Sequence, residues 1–118
     1  MRYLIFIASG EKFWATRTMD EITAIREKYV SYGESLKADG HYVMGGQLQR
    51  TIAATTFRRV NGVLEVVNGP FAETEEQIGG FYLIEAKDLD EALAVVERCP
   101  GIEIGSVELR PVLGSLMR

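Results

Sequence analysis

Two almost unbroken apolar runs, Tyr3-Leu4-Ile5-Phe6-Ile7-Ala8 and Phe81-Tyr82-Leu83-Ile84-Glu85-Ala86, constrain the fold more than any other feature of this sequence. Each is rich in β-branched and aromatic residues. Glycine marks a limit of both, Ser9-Gly10 after the first and Gly79-Gly80 before the second, so each reads as a strand. Neither alternates apolar with polar residues, so both faces of each strand need cover.

The segments between them are legible from local rules. Thr18-Met19-Asp20-Glu21 has the form of a capping box, and Ile22, Ile25, Tyr29, Tyr32 and Leu36 follow at steps of three and four. This predicts a long amphipathic helix that stops at Gly40. Tyr42 to Leu48 reads as a strand interrupted by Gly45-Gly46. Ala54–Val60 and Val63–Val67 flank Asn61-Gly62, the pair best suited to a type I′ hairpin turn. Asp88 with Glu91 starts a short helix whose expected apolar face is Leu89, Ala92, Leu93 and Val96, ended by Cys99-Pro100-Gly101. Ser106 to Arg110 alternates as a strand with one wet face, and Pro111 closes it.

The order strand, helix, strand, inserted hairpin, strand, helix, strand is the ferredoxin-like split βαβ arrangement of an α+β domain. Two helices cover one face of such a sheet. The two apolar strands lie side by side at its centre, so the second face must be buried by something else. A homodimer packed sheet against sheet is the simplest solution, forming a dimeric α+β barrel. The competing arrangement is a monomer shielded by its own hairpin and by the C-terminal tail, Leu113 to Arg118.

The chain has 118 residues, is 47% apolar and 25% charged, and shows no linker, repeat or low-complexity segment, so it reads as one domain over residues 1–118. A net charge of -4 gives no basic surface for phosphates, which disfavours nucleic acid and anionic membranes as partners. The first apolar run is too short for a signal peptide, and no stretch approaches the ~20 apolar residues of a spanning helix. With a single cysteine no internal disulfide forms. A cytoplasmic location is the expectation.

The run Asn68-Gly69-Pro70-Phe71-Ala72-Glu73-Thr74-Glu75-Glu76-Gln77-Ile78-Gly79-Gly80-Phe81-Tyr82-Leu83-Ile84 resembles the signature of the DGPF-type proteins of the YciI-related family. The likeness extends to the opening Met-Arg-Tyr strand, the Thr-Met-Asp-Glu helix start, Ala54-Thr55-Thr56, Asp88-Leu89-Asp90-Glu91-Ala92 and Glu108-Leu109-Arg110-Pro111-Val112. It implies the same dimeric α+β barrel. It also implies bacterial proteins mostly without an assigned reaction, some of them tied to alternative sigma factors, with a few relatives acting as enzymes on small cyclic substrates. In those relatives a His and an Asp face a pocket between helix and sheet. Here Tyr29 stands at the helix position where many DGPF-type proteins carry His, and Asn68 replaces the Asp that opens the motif. Neither supplies a group that titrates near neutrality.

Each candidate site residue has a plain structural role beside a functional one. Tyr29 and Tyr32 belong to the apolar stripe of the long helix, where an aromatic packs or turns its phenol into a pocket. Asn68, Pro70 and Phe71 shape a turn, while the continuation through Glu73 and Thr74 suits a ligand-lining loop. Glu73 is the candidate general base, against the alternative of a solvated acid at a helix start. His41 reads as a surface residue and Cys99 as inert. Arg58 and Arg59 point to opposite faces of the hairpin, so one of them could reach an anion. One His and one Cys make no zinc cluster, and there is no calcium loop, phosphate-cradling glycine loop or haem motif, so no metal or other cofactor is expected.

Two functions fit these features. One is a non-catalytic module that binds a small organic ligand or regulates, with a functional link to a sigma factor. The other is a cofactor-free isomerase, lyase or dehalogenase acting by acid/base chemistry on a small organic acid or ring.

Overall fold

The computed structural model describes residues 1–114. Its elements are β1 (Arg2–Gly10), α1 (Glu11–Ala15), α2 (Met19–Ala38), β2 (Tyr42–Gln47), β3 (Thr55–Val60), β4 (Val63–Asn68), β5 (Glu76–Glu85), α3 (Leu89–Glu97) and β6 (Ser106–Pro111). Short 3-10 turns lie at Thr51–Ala53 and Pro100–Glu103. The sheet order is β2-β5-β1-β6, every neighbour antiparallel, with β3 and β4 forming a separate ribbon. This is the ferredoxin-like α+β arrangement, with the two apolar strands central as their composition requires. Among the described residues the sheet is open and no barrel closes.

Local rules account for most of the elements. Thr18 Oγ1 accepts from the Glu21 amide at 3.1 Å, and the Glu21 carboxylate accepts from the Thr18 amide at 3.0 Å, completing the capping box of α2. Asn61 and Gly62 both take positive φ, 51° and 80°, as a type I′ turn demands. The Asp88 carboxylate caps α3 by accepting from the Glu91 amide at 2.9 Å.

The core gathers Tyr3, Ile5, Ile84 and Ala86 from the sheet, Tyr32 and Leu36 from α2, and Ala92, Val95 and Cys99 at α3 and its end. Helices α2 and α3 therefore cover one sheet face. Gly101 allows the turn after α3 to close on that core, since a Cβ there would lie 2.9 Å from the Tyr29 hydroxyl and 3.0 Å from Ile7 Cγ2. On the opposite face, Leu4, Phe6, Ala8, Phe81 and Leu83 stay partly accessible, with Met44 and Ile78 exposed beside them.

Several expectations change. β5 begins at Glu76, three residues ahead of Gly79, because Gln77 and Glu76 continue the ladder opposite Ser9 and Gly10 past a bulge at Gly79 in β5. α1 follows β1 without a loop and was not anticipated, its single turn being too short to show a period. The inner face of α3 is Ala92, Val95 and Val96, whereas Leu89 and Leu93 are exposed; nine residues leave the helix free to rotate its stripe toward the tyrosine cluster. His41 is half-buried, its Nδ1 2.8 Å from the Glu85 carbonyl. The hairpin does not shield the second face, for Phe57, Leu64, Val66 and its other large apolar residues are exposed. Of the tail invoked for the same purpose, Leu113 is exposed and residues 115–118 lie outside the described part.

Candidate functional site

A cavity of about 660 Å³ opens between α2 and the β2–β5 side of the sheet. That volume falls within the roughly 300–1,000 Å³ of small-molecule sites. Its walls come from Ile22, Ile25, Tyr29 and Gly33 on α2, from Tyr42 and Gly45 on β2, and from Gly80 and Tyr82 on β5. One end is formed by Ser9, Glu11 and Trp14 facing the turn at Arg50 and Thr51.

Glycines make the space. A Cβ on Gly33 would meet nothing within 4 Å, so this helical position is left open on the cavity side. Across it, a Cβ on Gly45 would come within 2.8 Å of Tyr82 Cδ1, so glycine here lets the Tyr82 ring lie along β2. Tyr82 then stands edge-on to Tyr32 and Tyr42, with centroids 5.6 Å and 6.4 Å away. The Lys37 ammonium lies 4.9 Å from the centre of the Tyr42 ring.

At the far end, the Trp14 indole, which lines the cavity, donates to Ser9 Oγ at 2.9 Å. Glu11 Oε1 accepts from the Thr51 amide at 3.2 Å and from the Thr51 hydroxyl. These bonds join α1 to a turn forty residues away in sequence.

Burial pushes the phenols of Tyr29 and Tyr32 far above the ordinary tyrosine range, and that of Tyr82 upward as well. Tyr29 and Tyr82 therefore stay neutral on the cavity wall, able to donate and to stack but not to exchange protons near neutrality. Burial likewise raises the Cys99 thiol, which holds it in the unreactive form.

The residues expected at a site divide clearly. Tyr29 lines the cavity. Tyr32 does not; it is buried in the core and its hydroxyl donates to the Val95 carbonyl at 2.8 Å. Asn68 ends β4, and Pro70, Phe71, Glu73 and Thr74 follow in the loop to β5, none of them on the cavity wall of its own chain. Phe71, Glu73 and Thr74 are exposed. No helix begins at Glu73, so the helix-start alternative for that acid falls away. Arg58 and Arg59 do face opposite ways, paired across the ribbon with Glu65 and Leu64, and Arg58 donates to the Phe71 carbonyl at 3.2 Å.

Ser9, Glu11, Trp14, Gly33 and Thr51 went unrecognised from the sequence alone. The one available signal was Glu11 and Trp14, three apart directly after an apolar strand, the spacing of one helix face. No group of three or more His, Cys, Asp or Glu side chains among the described residues is placed to hold a metal ion. No helix among them is long and apolar enough to cross a membrane.

Fold and site together define a ferredoxin-like α+β domain with an aromatic-walled cavity between its long helix and its sheet. The chain belongs to the YCII-related family, whose model matches residues 1–114. An uncharacterized protein of Rhizobium meliloti (strain 1021) is 39% identical over 98 residues, which is 81% of this chain and 73% of that protein. Among solved structures, the chain is similar to a 5-chloro-2-hydroxyhydroquinone dehydrochlorinase of Burkholderia phenoliruptrix AC1100, in complex with 2,5-dihydroxybenzoquinone. That likeness has a TM-score of 0.51 and 21% identity, and it covers 95% of this chain and 93% of the other. It establishes a shared fold.

Proposed function

We propose that this protein is a homodimeric module that binds a small planar organic molecule in the cavity between α2 and the sheet. The observation that carries this reading is the cavity wall itself, where Trp14, Tyr29, Tyr42 and Tyr82 offer ring surface alongside polar side chains that can fix a ligand's orientation. Neutral buried phenols suit binding better than proton transfer, which favours a non-catalytic or regulatory role over catalysis. The link to a sigma-factor system belongs to that role and rests on the family resemblance.

The dimer is supported by apolar surface left uncovered within the chain, the second sheet face and the exposed ribbon alike. Large apolar residues gathered on one sheet face and one ribbon are the kind of surface that marks an interaction site. Packing the second faces of two copies together would make the barrel and leave each cavity on the outer, helix-covered side.

The alternative, a cofactor-free lyase or dehalogenase, draws support from the dehydrochlorinase of similar fold. One experiment separates the two. Trp14 is the sole tryptophan and lines the cavity, so its emission reports occupancy directly. Titration with hydroquinone is expected to give saturable quenching, while chlorinated hydroxyhydroquinones incubated with the protein release no chloride. Chloride release with repeated turnover moves the assignment to the enzyme, and an emission spectrum indifferent to planar rings rejects the cavity as a ligand site.

A further inference from the structure

We propose that Glu11 is the ligand-facing hydrogen-bond acceptor of the cavity, held in position by Thr51, and that it selects a ring bearing a hydroxyl over the same ring without one. This deepens, and rests on, the reading of the cavity as a small-molecule site.

The two oxygens of Glu11 are unequal. Oε1 takes both donors of Thr51, the backbone N–H at 3.2 Å and the hydroxyl. Oε2 accepts no hydrogen bond from any described residue. An ionised carboxylate offers about four acceptor sites, and a half-buried one gains most from a donor brought to the oxygen still without a partner. Glu11 lines the cavity together with Trp14, so a ring stacked along the indole brings its substituents to this end.

Thr51 is itself immobilised. The Leu48 amide donates to the Gly79 carbonyl at 2.8 Å, the Ala53 amide to the Arg50 carbonyl at 2.9 Å, and the Ala54 amide to the Thr51 carbonyl at 2.9 Å. The turn is thereby tied to β5 at its start and closed on itself at Thr51. A carboxylate anchored to such a turn is oriented before a ligand arrives, and little conformational freedom is lost on binding.

A lone carboxylate would accept equally from an ammonium group, but the surrounding charges favour a hydroxyl. Arg26, Lys37 and Arg50 line the same cavity, make no ion pair among the described residues, and outnumber Glu11 and Glu34. They repel an organic cation. A neutral O–H meets Oε2 without that penalty, and a ring that carries partial negative charge elsewhere finds the cations.

The test is calorimetric titration of the full chain with catechol and with its dimethyl ether, 1,2-dimethoxybenzene, which keeps the ring and removes both donors. The wild type is expected to bind catechol at least about tenfold more tightly than the ether, the scale of a hydrogen bond to a charged acceptor. Glu11→Gln should shrink that ratio to within about threefold, because a neutral amide oxygen is the weaker acceptor. Thr51→Val should weaken catechol while leaving the ether unchanged, and Thr51→Ser, which keeps both donors, should restore it. If Glu11→Gln does not fold, Glu11→Asp serves instead, since withdrawing the carboxylate by one methylene should also lower the ratio. A catechol-to-ether ratio near one in the wild type, or a ratio that survives these Glu11 changes in a folded protein, overturns the proposal. Failure of both rings to bind at all overturns the cavity reading first and this inference with it.

Discussion

The hydroxyl of Tyr32 donates a 2.8 Å hydrogen bond to the backbone carbonyl of Val95, fastening the middle of α2 to α3 in the buried core. Val95 lies toward the C-terminal end of α3, where carbonyls run out of helical amide partners. The Arg98 amide at the helix end also donates to this carbonyl, at 3.3 Å, so the phenol adds a second, shorter hydrogen bond to it. Tyr32→Phe keeps the ring packing against Tyr82 and removes only that donor, leaving the carbonyl with the Arg98 amide alone. The expected loss is about 0.5–1.5 kcal/mol in unfolding free energy, read from denaturant titration at neutral pH. A change within a few tenths of a kcal/mol would show that water replaces the hydroxyl at no cost.

The same burial that makes the tyrosine cluster neutral also makes the fold sensitive to alkali. In the unfolded chain tyrosine ionises near pH 10, whereas Tyr29, Tyr32 and Tyr82 are raised above that in the folded protein. Folded pKa values above the unfolded ones mean the contribution is complete below about pH 10 and is lost as pH climbs toward the folded values, because only the unfolded chain gives up its protons there. Unfolding free energy should therefore begin to fall above about pH 8.5, where the Cys99 thiol ionises in the unfolded chain but is held back by burial in the folded one, and fall more steeply above about pH 10 as the tyrosines follow. Phenolate absorbance of the native protein should lag that of the denatured chain. Coincident native and denatured titrations would contradict this.

Much of the architecture was legible because it rests on local chemistry. The Asn61-Gly62 pair, the Thr18 capping box and the unbroken apolarity of the Tyr3 and Phe81 runs each act within a few residues, and each recurs as a structural feature at the same place. The cavity was less legible for the opposite reason. Glu11 and Thr51 acquire meaning only when a hydrogen bond joins residues forty apart, and α1 is too short to have a period. Gly33 looks like a weak spot in a helix until its missing side chain is seen to be part of the cavity. The conspicuous run from Asn68 to Thr74 drew attention by its likeness to a motif, but likeness carries no information about which surface a loop faces.

The uncovered sheet face yields a prediction independent of any ligand. Leu83 lies on it, opposite Leu4 on β1 and Met44 on β2. Light scattering of the wild type across a dilution series is expected to report twice 13.2 kDa. Leu83→Asp places a charge where two such faces would meet without a partner, so the mass should fall to that of one chain, or the dimer should weaken at least about tenfold. Circular dichroism should stay unchanged, since this side chain points away from the helix-covered core. A wild-type mass of 13.2 kDa at every concentration would reject the dimer and with it the barrel.

Gly33 separates ligand binding from stability more cleanly than any other position. Nothing lies within 4 Å of a Cβ built there, in contrast to Gly101, where an added methyl would press on Tyr29, Ile7 and Val107. Gly33→Ala should therefore stabilise the protein by about 0.5–1 kcal/mol, because α2 gains helix propensity and the unfolded chain loses freedom. It should barely alter hydroquinone binding, since one methyl takes little of a cavity of about 660 Å³. Gly33→Leu gains similar propensity but sends a branched side chain across the space between α2 and Tyr82. The expected result is a folded protein of at least wild-type stability whose Trp14 emission no longer responds to hydroquinone, or responds with affinity reduced about tenfold or more. Full binding retained by the leucine variant would mean that the ring sits elsewhere than between Gly33 and the sheet. Loss of stability in both variants would mean that α2 packs more closely at this point than an open Gly33 allows.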